Sequence, residues 1–423
     1  MIKRILVCVL LAAMIIGGLN VLTAAPKKYT LMTRFVMDTQ LKLVKELVDE
    51  FNKKNPSTQF EVTAVAPDKQ EQIIFTQFQA GNPPDVIHMT QASIGVLNER
   101  GLLANLAPYY RMYKWNQRVP KGQIDFFTGS NGQIPVVPFE GGVYTFLHYN
   151  ADLFTRLGIA KPSRDVPMSW DAFLKMCDKI KAAGIAPMTL GNRDQWTLQH
   201  LISFYTQEAC TVKDAQALWT KPGSPKITDP RPLAGLKKLW YLLKNGYFAS
   251  GVNAMTDDEA RMLLYSDKAA MYHIGEWWPY MITGDKMVGK FNADFLPIPA
   301  LESDVPYKMM GSAHGFTVPK TTSVRVAAKL IDWMTSVPNM QKQAATGVAA
   351  TIIGAKTADN TDAMTLAYAG LYKYTLVNTE PNQDLLNQIR SIGQALVDAK
   401  TEQDVLAIAQ KLQKAKDEVL GNK

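Results

Sequence analysis

The chain has 423 residues, a formal net charge of +8, 47% hydrophobic residues and 20% charged residues. This composition excludes a disordered chain, and the length exceeds what one ordinary core supports, so two domains are expected. Dense runs of lysine and arginine are absent from the sequence, so its positive charge does not indicate a nucleic acid as partner.

The first part of the chain, 1–25, has the pattern of a secretory signal peptide. A lysine and an arginine precede an uncharged apolar run from Ile5 to Ile16, and small residues around Ala24 offer a cleavage site. Cleavage leaves a net charge of +6 (8 − 2) on the mature chain. The alternative is an uncleaved membrane anchor, because the apolar part is nearly long enough to span a bilayer. Cys8 lies inside the apolar run, which argues against a lipid anchor, and export without one fits a Gram-negative periplasm.

The next part of the chain alternates between predicted strands and helices. Alternating or short apolar runs predict strands, and apolar residues three and four apart predict helices. This order of elements predicts a mostly parallel sheet with helices on both faces. The elements are a strand at 29–35, a helix capped by Asp38, a strand at 59–65, a helix at 69–80, a strand at 85–89 and a helix at 91–99. Polar residues at the carboxyl ends of such strands border a ligand crevice. They are Arg34, Asp38, His88, Thr90 and Gln91.

Two adjacent glycines separate two predicted strands in the middle of the chain. One strand ends near Pro138, and the next covers 143–149. Because glycine absorbs large backbone changes, Gly141 and Gly142 are predicted to form a hinge where the chain first crosses between domains. Glu140 precedes them and is a further candidate for ligand contact.

The second domain contains a helix–strand–loop unit from 167 to 196. Ser169 suits the N-cap of its helix, and Gly184 suits a left-handed C-cap. A short apolar run then leads into a polar loop that lies before another helix. Loops in this position carry ligand-binding groups in α/β proteins. The candidates in it are Asn192, Arg193, Gln195 and Trp196.

The remaining elements predict a return to the first domain and a helical tail. They are helices at 198–208, 233–244 and 257–264, strands at 269–274 and 291–298, a glycine-bearing turn and strand at 309–318, a helix at 324–337, and tail helices around 385–396 and 402–419. The strand at 291–298 is the one predicted to lead back to the first domain.

An aromatic cluster follows the strand at 269–274. Sugar rings have apolar C–H faces that pack on flat aromatic rings, and their hydroxyls need polar side chains. Trp277 and Trp278, with Glu276 beside them and Trp196 in the earlier loop, therefore indicate a sugar site. The alternative is that tryptophans so close together are core residues.

Enzyme and metal signatures are absent from the sequence. It contains no dinucleotide-binding, phosphate-loop, zinc-protease or nucleophile-elbow motif, and its five histidines are scattered. No cofactor, metal site or catalytic residue is therefore predicted. Cys177 and Cys210 are expected to be unpaired, although an oxidising compartment would permit a bridge.

Seven segments in order resemble the carbohydrate-binding family of extracellular solute-binding proteins of ABC transporters, which includes the maltose-binding protein. They cover nearly the whole mature chain. The segments are ELVDEFNKKNPSTQFEV, QAGNPPDV, GLLANLAPY, VVPFEGGVYTFLHYNADLFTRLGI, PMSWDAFLKMCDKIKAAGIAPMTLGNRDQW, DKAAMYHIGEWWPY and AAKLIDWMTSVPNMQK.

The resemblance implies a two-lobed α/β periplasmic-binding-protein fold of type II. Each lobe is expected to hold a mixed, mostly parallel sheet flanked by helices, and hinge strands join the lobes. The expected division is 26–140 and 292–337 for lobe I, and 141–291 and 338–423 for lobe II. The implied function is capture of a carbohydrate by a monomeric periplasmic protein, which delivers it to the permease subunits of an ABC importer.

The resemblance also marks site residues. Trp277 matches a family tryptophan that stacks on sugar, while Glu276 replaces the usual proline and is expected to add a hydrogen bond to the ligand. The loop ending at Trp196 and the turn at Thr90 and Gln91 match ligand-facing family segments. Two further candidates, Gly311 and His314, lie in the turn at 311–314.

Two alternatives stay open at this stage. One keeps the fold and changes the ligand to glycerol-3-phosphate or a related phosphodiester, because Arg34 and Arg193 suit phosphate. The other is a secreted glycoside hydrolase or lyase, since such enzymes also use aromatic and carboxylate side chains.

Overall fold

The computed structural model describes residues 27–36, 38–128, 132–346, 351–353, 355, 374–377 and 380–421. The predicted signal peptide lies outside these ranges. Across the described ranges, no helix combines the length and the apolar character needed to cross a membrane.

Strands and helices alternate along most of the described chain. The strands are β1 Lys27–Thr33, β2 Thr58–Ala64, β3 Val86–Met89, β4 Val136–Val143, β5 Phe146–Asn150, β6 Ala186–Thr189, β7 Ala269–Ile274, β8 Ala293–Pro297, β9 Met309–Thr317 and β10 Thr375–Val377. The helices are α1 Asp38–Lys54, α2 Pro67–Gln79, α3 Gln91–Glu99, α4 Ala107–Met112, α5 Trp115–Arg118, α6 Lys121–Phe127, α7 Ala151–Arg156, α8 Trp170–Ala182, α9 Trp196–Glu208, α10 Val212–Ala217, α11 Pro230–Lys244, α12 Asp257–Tyr265, α13 Trp278–Gly284, α14 Val324–Met334, α15 Val337–Ala344, α16 Gln383–Gly393, α17 Ala395–Asp398 and α18 Glu402–Leu420.

The first sheet has six strands among the described residues, and its central order is β10-β9-β3-β1-β2, with β4 also paired to β9. Strand β1 is parallel to β2 and β3, whereas β9 is antiparallel to both β3 and β4. The apolar faces of α1 and α14 close over it because each helix places apolar residues three and four apart. The core there includes Leu47, Phe51, Phe316, Leu330 and Ile331.

The second sheet has the order β6-β7-β5-β8 within the described chain. Strands β6 and β7 are parallel, and β5 is antiparallel to β7 and β8. Helices α8, α9 and α11 cover it, with Phe173, Phe204 and Leu239 fully buried in one core. Cys177 and Cys210 are buried and unpaired, as predicted. The two mixed sheets with their helices confirm the two-lobed α/β fold.

The strands that join the sheets differ from the prediction in two places. Gly141 and Gly142 were predicted to lie between two strands; they lie inside β4, where they pair with Ala313 and Ser312 of β9, and the chain enters the second sheet directly afterwards at β5. A chain that pairs along its length continues as a strand, so β4 extends past Pro138 with a register shift. The predicted turn at 311–314 is likewise part of β9.

Strand β8 does not return to the first sheet. It pairs with β5 in the second sheet, from Asn150–Ala293 to Phe146–Pro297. Among the described residues, the chain re-enters the first sheet at β9. Helix α15 also packs on the first lobe, because Met340 is buried in the same core as Leu47. These two segments therefore lie on the opposite lobe from the predicted one, and the rest of the predicted division stays a prediction.

Candidate functional site

Three predicted site residues meet where the strands of the first sheet face the second lobe. Arg34 follows β1, His88 lies in β3 and Glu140 lies in β4. The Arg34 guanidinium donates through Nη1 to Glu140 Oε1, and His88 Nε2 lies 3.3 Å from the same oxygen. Parallel β1 and β3 bring the arginine and the histidine to one edge, although Arg34 and Glu140 are 106 positions apart in the chain.

The charge state of this group follows from its surroundings. Burial alone would raise the pKa of Glu140, but the Arg34 guanidinium and His88 outweigh it and hold that pKa well below its usual range. Burial lowers the pKa of His88, and the positive charge of Arg34 lowers it further. At neutral pH, Glu140 is therefore a carboxylate paired with Arg34, and His88 is a neutral neighbour.

Glu140→Gln is expected to reduce stability at neutral pH and to reduce it less in acid. The folded-state pKa of Glu140 lies below its unfolded value of about 4.3, so the ion pair stabilises the fold above that value. This contribution is lost as the pH falls toward the folded pKa. Urea unfolding of the wild type and the variant at pH 7, 5 and 3 measures the difference. A gap that stays constant across this range would contradict the assignment.

The second lobe contributes an aromatic corner around Trp277. Its ring lies over the backbone at Gly275, where an added Cβ would come within 1.9 Å of the ring, so glycine is required there. The centroid of the Trp196 ring is 6.3 Å away at an angle of 52°, and His200 meets Trp277 edge to face, also at 6.3 Å. Trp277 and Trp196 are both only half-buried. The corner therefore offers aromatic surface to a ligand.

Hydrogen bonds fix the loop that carries Trp277. The backbone N–H of Glu276 donates to the carbonyl of Val143 at 2.9 Å, which ties the loop to the end of β4. Behind it, Arg261 of α12 donates to Asp257 at 2.8 Å and to Asp285, at the end of α13, at 2.9 Å. This buried ion network holds α13, and so the position of Trp277, against the sheet.

The Arg34–Glu140 pair and the aromatic corner both lie against strand β4. Residues two apart in a strand point to the same face, so Glu140 and position 142 face the same side of β4. The Trp277 ring lies against that side, because a Cβ added at Gly142 would be 3.7 Å from it. The Arg34–Glu140 pair and the aromatic corner therefore line one cleft between the lobes. His314 of β9 joins it, since it pairs directly opposite Glu140. Its Nδ1 accepts from the backbone N–H of Gln91 at 3.2 Å.

Several predicted ligand contacts are corrected, because the side chains are enclosed by protein. Trp278, Asn192 and His88 are each 0% exposed. Asn192 was expected to contact the ligand from the loop. Its amide oxygen instead accepts from Leu198 N at 3.2 Å and so supports the start of α9. Gly311 is likewise buried inside β9. These four positions are enclosed within the described structure.

The remaining candidates are distributed around the cleft. Arg193 is exposed, and its nearest carboxylate, on Glu259, is 4.0 Å away. Gln195 is half-buried and takes a positive φ of 66° before α9. Thr90 accepts from Ser93 N at 3.4 Å as the cap of α3. Gln91 is buried beside it. The side chain of Asp38 lies outside the described part, so its role stays a prediction.

The sequence did not identify three residues at the cleft: His200, Glu380 and Arg390. Helix α16, which carries Arg390, packs against both α9 of the second lobe and α3 of the first. His200 lies four positions after Trp196 on α9, a spacing that places both on one helical face and was a usable signal. Nothing local distinguishes Glu380 or Arg390, because only the tertiary packing of α16 brings them to the cleft.

Comparisons with known proteins agree with this architecture. A profile of the family described as bacterial extracellular solute-binding protein matches residues 38–341. A multiple sugar-binding protein of Streptococcus mutans is 23% identical over 316 residues, which cover 71% of this chain and 69% of the relative. A solved chitin oligosaccharide binding protein superposes with a TM-score of 0.82 at 20% identity, covering 94% of this chain and 100% of the other. The raffinose complex of RafE gives 0.72 at 21% identity, covering 93% and 100%. At these identities the structural likeness shows the fold.

Proposed function

The chain belongs to the family of bacterial extracellular solute-binding proteins, and on that premise we propose that it is the sugar-binding component of an ABC importer. The proposed ligand is a sugar or oligosaccharide, captured between the two lobes and delivered to membrane permease subunits. The sugar-binding relatives support this choice of ligand. The proposal includes a periplasmic location after signal-peptide cleavage and a monomeric state.

The observation that carries the proposal is the partly exposed Trp277 ring held over β4, near the polar first-lobe residues. A sugar needs an aromatic face for its C–H surface and polar groups for its hydroxyls. The aromatic corner supplies the first from lobe II, and Arg34 and Glu140 supply the second from lobe I. A ligand between them contacts both lobes, so its binding favours their approach.

The proposed action is binding without chemistry. Glu140 is committed to the Arg34 ion pair and His88 is enclosed, which leaves neither as a free acid or base. Among the described residues, no group of three or more His, Cys, Asp or Glu side chains is placed to hold a metal ion. The cleft groups therefore orient and desolvate a ligand, and release of the ligand requires reopening of the lobes.

Isothermal titration calorimetry against a panel of mono- and oligosaccharides tests the proposal. The purified mature chain is expected to bind at least one member with a dissociation constant of about micromolar or tighter. Incubation with polysaccharides should release no reducing ends. Silence across the sugar panel, or release of new reducing ends, would count against a sugar-binding protein.

A further inference from the structure

Arg390 and Glu380 are partly buried beside the cleft, and each has one side-chain atom that lacks a hydrogen-bond partner. The Nε of Arg390 and the Oε2 of Glu380 are shielded from solvent and make no hydrogen bond within the described structure. Burying a charged group without a partner is costly, so native structures usually pair it. The two residues come from α16 and the stretch before it, which lie between the lobes.

Arg34, from the first lobe, is the third charged residue near Arg390 and Glu380. Its Nη1 is engaged by Glu140, but its Nε is also buried and unpartnered. Glu380 interacts electrostatically with Arg390, on helix α16, and with Arg34, which follows β1, so both guanidiniums act on the same carboxyl. The nearby histidines lie in the same positive field, since Arg390 acts on His200 and Arg34 acts on His314.

We propose that the cleft selects a saccharide carrying an anionic group, a carboxylate or a phosphate, which is held between the guanidiniums of Arg34 and Arg390. This inference rests on the proposed sugar-binding function and narrows its ligand class. The acidic group is placed at the α16 side of the cleft, and the sugar ring extends from there toward Trp277.

The two guanidiniums favour an anionic substituent on the sugar over a neutral or cationic one. A guanidinium is a fixed fork of donors that matches carboxylate and phosphate oxygens, and it has no acceptor to offer an amine. An ammonium group would face two arginines and is disfavoured by their charge. An anion gives each Nε the acceptor that it lacks, since Glu140 engages Arg34 only through Nη1.

Glu380 is compatible with a bound anion. Burial raises the pKa of Glu380 to about 7, against the lowering effect of Arg390 and Arg34. A ligand anion beside it favours the protonated acid further, and a protonated carboxyl donates a hydrogen bond. Glu71 of α2 is the other carboxyl that acts on Arg390. Binding of an anionic saccharide is thus expected to take up a proton at Glu380.

Matched ligand pairs test the selection by calorimetry. The probes are galacturonic acid against galactose, glucuronic acid against glucose, glucose 6-phosphate against glucose, and the corresponding uronic acid and neutral disaccharides. The anionic member of at least one pair is expected to bind about tenfold tighter or more, the scale of a hydrogen bond to a charged group. The uronic acids and the phosphate distinguish a carboxylate from a phosphate.

Substitution of Arg390 assigns the preference to its guanidinium. Arg390→Gln is expected to weaken binding of the anionic member about tenfold or more and to change binding of its neutral partner less than about twofold. Arg156→Gln is the control, because Arg156 pairs with Asp267 at the exposed surface. Arg390→Lys keeps the charge and should retain part of the preference, and thermal unfolding of each variant checks the fold.

The pH dependence supplies an independent readout. Affinity for the anionic member is expected to rise as the pH falls from 8 to 6, and Glu380→Gln should flatten this profile, because the amide needs no proton to donate. Equal or tighter binding of the neutral members, or tighter binding of glucosamine, overturns the inference while leaving sugar binding intact. If no saccharide in the panel binds, both this inference and the proposed sugar-binding function are overturned.

Discussion

Trp278→Ala is expected to lower the free energy of unfolding by about 3–5 kcal/mol, the usual cost of truncating a buried aromatic side chain. Trp278 is 0% exposed and lies in a core with Leu264 and Ile274. Its ring stacks on His148 at 5.2 Å and meets the ring of Tyr272 at 5.8 Å. Removing it leaves a cavity that this sheet-and-helix packing cannot close without moving α13.

Urea-induced unfolding of the mature chain measures the effect. Tyr241→Ala is a suitable control, because that ring is 41% exposed and its removal should change the stability much less, by roughly 1 kcal/mol or less. Trp278→Phe keeps an aromatic ring and is expected to fall between the two. A loss below about 1 kcal/mol for Trp278→Ala would show that the side chain is not a core element.

The neighbouring tryptophans illustrate what sequence pattern can and cannot decide. The sequence predicted an aromatic cluster after a strand beside Gly275, and the structure has it at that place. The local pattern did not distinguish the two rings, and only the family resemblance marked Trp277 as the stacking residue. Trp277 folds back over Gly275, and Trp278 starts α13 with its side chain directed into the core. That difference arises from the backbone direction at the helix start, which depends on tertiary packing.

The elements themselves were more predictable than the site. The predicted bounds of α3 and β7 match the observed ones. Strand β7 is a short run buried along its whole length, which is itself a strand signal. The prediction at the return crossing was wrong, because β8 stays in the second sheet. Strand partners there are chosen by long-range pairing with β5 and β9, which leaves no local signal.

The polar side of the cleft shows the same limit. The strand-end rule identified Arg34 and His88, and their contact with Glu140 depends on β4 crossing the sheet much later in the chain. Sequence position also could not show that the Asn192 side chain would form hydrogen bonds with Leu198 and Asn253 inside the protein. A polar residue in a predicted binding loop is free for a ligand only if the fold leaves it without an internal partner.

Trp277→Ala is expected to weaken binding of the best saccharide in the panel by about 1–3 kcal/mol, or roughly 5- to 150-fold. The reason is the loss of the flat apolar face that Trp277 presents in the corner with Trp196. Since the ring is only half-buried, the stability of the variant should fall less than that of Trp278→Ala. Calorimetric titration and urea unfolding of both variants measure the two effects.

Two further variants sharpen this expectation. Trp277→Phe keeps an aromatic face and should recover part of the affinity, whereas Gly275→Ala leaves Trp277 in the sequence but forces its ring away, since the new Cβ would be 1.9 Å from it. Weak binding by Gly275→Ala with a folded chain would show that the position of the ring matters as well as its presence. Unchanged affinity in Trp277→Ala would show that the ring only packs against the protein. The sugar assignment would then lose its main support.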